Sequence, residues 1–351
     1  MINTSELEKE YKELLIKNNS RNSMELLQKA YRFIHEEYAP MGGTTTADIA
    51  NTENSLNEIL LSYYMERGIP SIARDALNIT NMVGNTNFFF TIQTTVNEIL
   101  EFLFWRIAPE EEKYSWDNVG LLLGRGRKPV TKVLVSLDAT KEVAAEAKRL
   151  GCELVVTHHP ILFHPAKHIT DEPDSDTVLT YLENGIAVIS MHTNLDRALD
   201  GVNEILAAKL ELEEIMTLED DTDADLCHLI RTGFVPTCAL PDFAARVRTL
   251  LDCPGIRYAD GGKPVRHVAV GGGACGSFIE FVAEAGIDTL VTADLGYHDF
   301  QKAAAYGLNL IDAGHFETEN PVCGYLRERI SSAFPEVEVL LSAHRDCILW
   351  L

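Results

Sequence analysis

Apolar residues recur at helical spacing through the first quarter of the chain, then give way after Val96 to short β-branched runs that alternate with helical stripes. Ser5 and Glu8 form a capping-box pattern, and Leu7, Tyr11, Leu14 and Leu15 follow at intervals of three and four. Met24, Leu27, Tyr31 and Ile34 repeat the stripe. A break at Ala39-Pro40-Met41-Gly42-Gly43 precedes a further stripe through Leu56, Ile59, Leu60 and Tyr63, which Gly68-Ile69-Pro70 ends. Residues 1–92 therefore read as a small helical extension. Its only histidine, His35, has no nearby ligand partner and reads as a solvated helix residue. The alternation beyond Val96 predicts βαβ units and a largely parallel sheet.

That α/β region carries an internal repeat. Lys132-Val-Leu-Val-Ser-Leu-Asp, a helix over Glu142 to Leu150, and Gly151-Cys-Glu-Leu-Val-Val-Thr-His-His have a counterpart further on. The counterpart is His267-Val-Ala-Val-Gly-Gly-Gly, a helix over Phe278 to Ala285, and Gly286-Ile-Asp-Thr-Leu-Val-Thr-Ala-Asp. The match continues from Leu182–His192 to Ala305–His315, so both halves follow a strand with a histidine. The predicted fold is α/β: two related α/β domains from an internal duplication, preceded by the helical extension. Residues 93–210 form the first half, 211–262 an acidic connecting segment and 263–351 the second half. The acidic cluster between Glu211 and Asp225 reads most simply as a solvated surface loop.

Composition narrows the partners. A formal charge of -23 over 351 residues repels phosphate backbones and anionic membranes, which disfavours nucleic-acid binding without a basic patch. No run of eighteen apolar residues occurs, and the N-terminus is polar rather than a basic-then-apolar signal. Seven cysteines without a CxxC pair fit a reducing compartment, and the expected location is the cytoplasm.

Four predicted strand ends carry metal-ligating residue types: Thr157-His158-His159-Pro160, His192-Thr-Asn-Leu-Asp196, Thr292-Ala-Asp294 and Gly314-His315-Phe-Glu-Thr-Glu319. The carboxyl ends of parallel strands line the ligand crevice of open α/β sheets, so these groups should converge. His158 and His159, adjacent on one strand end, should face different ways and serve different ions. Asp196 and Glu319 each follow a histidine by four residues, which puts each pair on one helical face. Imidazole with carboxylate suits Fe, Mn, Zn, Ni or Co. His192 ranks below Asp196 as a ligand and reads equally as an orienting partner. Gly271-Gly272-Gly273, between a strand and a helix, reads either as a phosphate cradle or as a close-packing device. Asp117-Asn118-Val119-Gly120 reads as a turn into a buried strand, and Cys275 as a packing residue. His164 and His168 are equally compatible with substrate contact and with a surface role.

Trp116-Asp-Asn-Val-Gly-Leu-Leu-Leu-Gly, Val156-Thr-His-His-Pro-Ile-Leu-Phe, His192-Thr-Asn-Leu-Asp and Gly314-His-Phe-Glu-Thr-Glu, in this order, resemble the Nif-three-like dinuclear metal-centre family. Its members are often labelled GTP cyclohydrolase 1 type 2 homologues. The resemblance runs from about Val96 to the C-terminus. It implies metal ligation by His158, His159, Asp196, His315 and Glu319, with Glu319 bridging two divalent ions. It also implies two similar α/β domains, a toroidal homohexamer and a metal-dependent hydrolase acting on a nucleotide or phosphoester. Residues 1–92 have no counterpart in the family pattern, and Arg231-Thr-Gly-Phe-Val-Pro stands where a more glycine-rich turn is expected. His298, in Tyr297-His298-Asp299, is the candidate catalytic residue, as a proton-transfer group beside the metals. The alternative from another class is a non-catalytic metal-binding scaffold that contacts other proteins.

Overall fold

The computed structural model describes residues 94–219 and 228–350. The helical extension expected over 1–92 and the acidic residues Asp220, Asp221, Asp223 and Asp225 lie outside the described residues.

Strand β1 (Gly120–Leu123), β2 (Lys132–Ser136), β3 (Leu154–Thr157) and β4 (Ala187–Ser190) form a first sheet together with a strand from the far end of the chain, Glu338–Leu341. The order is β1-β4-β3-β2 and then Glu338–Leu341, with only the β1–β4 pairing antiparallel. All four residues of β3 and of β4 are buried, as strands covered on both faces must be. Helix α1 (Val96–Arg106) opens on a capping box in which Thr95 and Glu98 satisfy each other's backbone N–H groups. Between β2 and β3 runs α2 (Lys141–Leu150), capped by Thr140 and closed by Gly151 at φ 72°. It buries Val143, Ala144 and Ala147 on one face. Helix α3 (Pro173–Glu183) links β3 to β4.

After β4 come two short helices, α4 (Thr193–Arg197) and α5 (Val202–Lys209). A second, six-stranded sheet follows. It contains β5 (Glu213–Thr217), β6 (Arg231–Cys238), β7 (Arg257–Ala259), β8 (Val265–Val270), β9 (Thr289–Thr292) and β10 (Asn309–Asp312), in the order β5-β6-β8-β9-β10-β7. Helix α6 (Leu240–Leu251) lies between β6 and β7, α7 (Ile279–Glu284) between β8 and β9, and α8 (Tyr297–Ala305) between β9 and β10. The parallel run β2-β3-β4 of the first sheet and the parallel run β8-β9-β10 of the second have the same order. Segment 211–262, expected to be an acidic connection, supplies β5, β6, α6 and β7 to the second sheet. The high acid content of this segment obscures its strand-forming residues.

Beyond β10 lie α9 (His315–Glu319), α10 (Pro321–Ala333) and β11, the Glu338–Leu341 strand already placed in the first sheet. The C-terminal part of the second half thus returns to the first. Val322, Leu326, Ile330 and Phe334 join Val96, Ile99, Leu103 and Val133 in one core, and the rings of Phe102 and Phe334 meet edge-on at 5.5 Å. The carboxyl ends of β3, β4, β8 and β10 all contribute to one cleft, through His159, His192, Gly272 and His315. Among the described residues no helix is long and apolar enough to cross a membrane.

Candidate metal centre

His158 follows β3 and is fully buried. Its Nδ1 donates to the carbonyl of Met191 at 2.8 Å, which fixes the tautomer and turns the Nε2 lone pair into the cleft. Burial holds this imidazole at a pKa of about 3, against the pull of the Glu319 carboxylate, so it is neutral and available as a ligand. His159 faces another way: its Nδ1 lies 2.7 Å from Asp138 Oδ1, and its Nε2 3.0 Å from Glu319 Oε2. His315, the first residue of α9, repeats the arrangement with Asp294 at 2.7 Å and Glu319 Oε2 at 2.9 Å. Of the two pairs expected at a spacing of four, His315 and Glu319 meet on one short helix, whereas His192 precedes the first residue of α4 and turns its Nδ1 to Asp117 rather than to Asp196.

These residues fall into overlapping groups, each compact enough to hold an ion. His158, Asp196 and Glu319 make one, and His159, His315 and Glu319 another. Glu319 is common to both. Asp196 lies 3.5 Å from His158 Nε2 through Oδ1. A third group joins His158 and His159 to His192, which thus stands among the possible ligands rather than only behind Asp196.

The electrostatics of the cluster call for added positive charge. His158 Nε2 and Asp196 Oδ1 are buried without a hydrogen-bond partner, and the buried Glu319 Oε2 faces the Nε2 atoms of His159 and His315, which bond to it only when they carry a proton. Leaving one such atom unsatisfied costs about 1–3 kcal/mol. Nε2 of His159 and Nε2 of His315 lie 3.3 Å apart. With each Nδ1 donating to its carboxylate, neutral imidazoles would aim two lone pairs at each other and at Glu319. Burial would lower both histidine pKa values, but Asp138 and Glu319 raise His159 to about 10, and Glu319 and Asp294 raise His315 to about 9. Burial and the nearby Glu319 carboxylate hold the Asp196 carboxyl well above the usual range, whereas the surrounding histidines more than offset burial at Glu319 and keep it ionised. Protons are one source of the missing charge; divalent ions are the other, and the donor set of imidazole and carboxylate fits them.

Three carboxylates orient the histidines. Asp117 accepts from His192 Nδ1 at 2.8 Å and from the Thr193 N–H at 3.0 Å, and despite burial these bonds hold it at a pKa of about 2. Asp138 carries His159 and is itself held by His344 Nε2 at 3.2 Å. Asp294, a candidate ligand in the sequence, stands behind His315 in a left-handed conformation at φ 55°. Sequence reasoning gave Asp117 no function and passed over Asp138 and His344. The available signal was the position of Asp138 two residues past the end of β2, the same offset that Asp294 has from β9. Replacing Asp138 with Asn should weaken metal binding roughly 10–100-fold without unfolding the chain, because the amide no longer anchors a basic imidazole. A chelator-competition titration reads this directly, and unchanged affinity would remove Asp138 from the metal-supporting set.

The other sequence candidates separate cleanly. The N–H groups of Gly271, Gly272 and Gly273 are spent on Val291 O, Asn203 Oδ1 and Thr318 Oγ1. The close-packing reading therefore holds for them, and a side chain at Gly273 would collide with Glu319. Cys275 lines the cleft, but burial and the nearby Asp196 and Glu319 carboxylates push its thiol far up, which makes it a poor nucleophile. His164 and His168 are exposed. His298 is exposed on the first turn of α8, with Nδ1 3.1 Å from Gln301 Oε1, and is not among the residues lining the cleft. The cleft itself measures about 560 Å³ and reaches from Glu319, His315 and Asp196 to the aromatic side chains Tyr114, Trp116 and Phe163.

Comparison with known proteins places this geometry in context. The chain is 31% identical over 242 residues to a GTP cyclohydrolase 1 type 2 homolog of Clostridium perfringens, covering 67% of this chain and 92% of that protein. A protein of the same name from Streptomyces coelicolor is 37% identical over 227 residues, covering 61% of this chain and 78% of the relative. Among solved structures, Staphylococcus aureus protein SA1388 superimposes with a TM-score of 0.68 at 25% identity, over 74% of this chain and 99% of that one. Reduced HcgD from Methanocaldococcus jannaschii does so with a TM-score of 0.63 at 27% identity, over 73% and 100%. The model of the Duf34/NIF3 (NGG1p interacting factor 3) family runs over residues 94–347, a span that contains the whole cluster, and this chain belongs to that family.

Proposed function

We propose that the chain is a metal-dependent hydrolase with a dinuclear centre. His158, Asp196 and Glu319 would hold one divalent ion and His159, His315 and Glu319 the other, and Fe, Mn, Zn, Ni or Co would suit these donors. The observation that carries this reading is the meeting of His158, Asp196 and Glu319 in one buried group, with His158 Nε2 and Asp196 Oδ1 left without a hydrogen-bond partner. Ions bound there would supply Lewis acidity toward a substrate oxygen and toward water.

The chain's own residues do the rest. The Met191 carbonyl, Asp138 and Asp294 hold three imidazoles in the tautomer that leaves Nε2 free. His298, exposed and outside the cleft lining, is carried in this proposal as the proton-transfer group that the sequence offers, and its replacement tests that role. The substrate is a nucleotide or phosphoester, and the name of the curated relatives points to ring opening of a GTP-like nucleotide. A homohexamer, an origin of the two sheets by duplication and a cytoplasmic location belong to the same proposal.

The test is a turnover screen of metal-reconstituted protein across nucleotides and phosphoesters, with Glu319→Ala as the blank. Metal-dependent turnover is expected in the wild type and none in the blank. His298→Ala should keep its metal and lose turnover by about 10²–10⁴-fold, the usual contribution of a positioned acid or base. Absence of turnover in wild-type protein carrying both ions would instead favour a metal-binding scaffold.

A further inference from the structure

Trp116 and Phe163 are 56% and 40% exposed, although both line the metal cleft beside the His192 ring. Leaving two large aromatic rings in water forgoes burial that folding would otherwise use. The surrounding structure nevertheless holds them in place. Asp117, next to Trp116 in the chain, is bonded to His192 and Thr193. Asn118 Nδ2 donates to the Leu162 carbonyl at 2.5 Å, which ties the Trp116 loop to the Phe163 loop. Tyr114 donates its backbone N–H to Thr193 Oγ1 at 3.1 Å and stacks on Trp116 at 5.4 Å and 27°. The Arg197 guanidinium packs on the Tyr114 ring at 5.2 Å. The Trp116 and Phe163 rings stand 5.7 Å apart at 56°, an aromatic corner registered to the helix that carries Asp196.

The residues lining the cleft include no Lys or Arg. An anionic group entering it therefore has only the metal end to bind, while the aromatic corner suits an uncharged planar ring, face-on to one side chain and edge-on to the other. The cleft volume of about 560 Å³ matches a ligand of that size. We infer that the cleft takes a small ligand in which a planar heteroaromatic ring is joined to an anionic group, the ring packing on Trp116 and Phe163 and the anion facing the metal cluster. This rests on the reading of the cleft as the substrate site and assigns to Trp116 and Phe163 the choice of a ring-bearing ligand over a plain phosphoester.

Adenosine 5′-monophosphate and ribose 5-phosphate share the anion and the sugar and differ in the ring. Their binding to metal-loaded, full-length protein is measured by calorimetry. The nucleotide should bind about tenfold or more tightly, the contribution of one stacked base. Trp116→Leu should reduce that ratio to below about twofold, Phe163→Leu should lower it in part, and Trp116→Phe should keep most of it, with metal content unchanged in all three. Equal affinities in the wild type, no binding of either probe, or a ratio preserved in metal-loaded Trp116→Leu would each overturn the inference. So would a change of oligomeric state in Trp116→Leu with equal affinities, which would make the corner a protein interface. A preserved ratio without turnover in the wild type would sink the hydrolase reading and leave the ring site standing.

Discussion

Replacing Glu319 with Ala should strip both ions from the centre, with affinity at each position falling by more than about 100-fold, beyond the 10–100-fold typical of losing an orienting partner. Glu319 is the one residue shared by the His158–Asp196 and the His159–His315 groups, and its Oε2 lies within 3.8 Å of Nε2 on His158, His159 and His315. In the proposed dinuclear centre its loss would remove a bond from each ion and leave Asp196 as the only carboxylate in the two groups, so two positive charges would face too little compensation. Single replacement of His158 or of His159 should act differently. Each imidazole is fixed by its own partner, Met191 O or Asp138, and belongs to a different one of the two groups, so each variant should weaken mainly one ion. Metal titrations of the three variants separate these patterns, and equal loss of both ions in each histidine variant would refute the bridging assignment.

Gly273→Ala should damage the site through Glu319 itself. Gly273 sits at φ 61°, and a Cβ there would meet Glu319 Oε1 at 2.2 Å and His315 Cε1 at 3.2 Å. The backbone strain and the forced shift of a buried carboxylate together cost about 2–4 kcal/mol. At about 2–4 °C per kcal/mol for a domain of this size, Tm should fall by roughly 5–15 °C. Metal should be lost with it. Gly286→Ala is the control, because Gly286 shares the positive φ, at 78°, but a Cβ there meets nothing within 4 Å. That variant should show only the backbone term, about 1 kcal/mol, and keep its metal. Calorimetry of the two proteins reads the difference; equal Tm values and equal metal content would mean that Glu319 has room to move and that the packing around it is looser than described.

The parts of this site that were legible in the sequence are those with short-range signatures. His192 with Asp196 and His315 with Glu319 announce themselves by a spacing of four, and a short helix begins at each. The buried strands β3 and β4 were visible as apolar runs ending near histidines, and the helix between β2 and β3 begins one residue before its expected start. The orienting carboxylates are different in kind. Asp117 reaches His192 across 75 residues and Asp138 reaches His159 across 21, and no local pattern records such contacts. The return of β11 to pair with β2 joins residues about 200 apart, so the second half looked self-contained in the sequence and is not so in the sheet. Strands β5 and β6 were hidden for another reason. The acidic sequence between them dominates any local average, and burial of Arg231 at the start of β6 runs against the expectation for a charged residue.

The central claim is that one cluster of five side chains holds two ions through a shared carboxylate. Elemental analysis of reconstituted wild-type protein beside Glu319→Ala tests it most directly. The account predicts two equivalents of divalent metal per wild-type chain and close to none in the variant. One equivalent or less in the wild type, or two equivalents retained by Glu319→Ala, would contradict it.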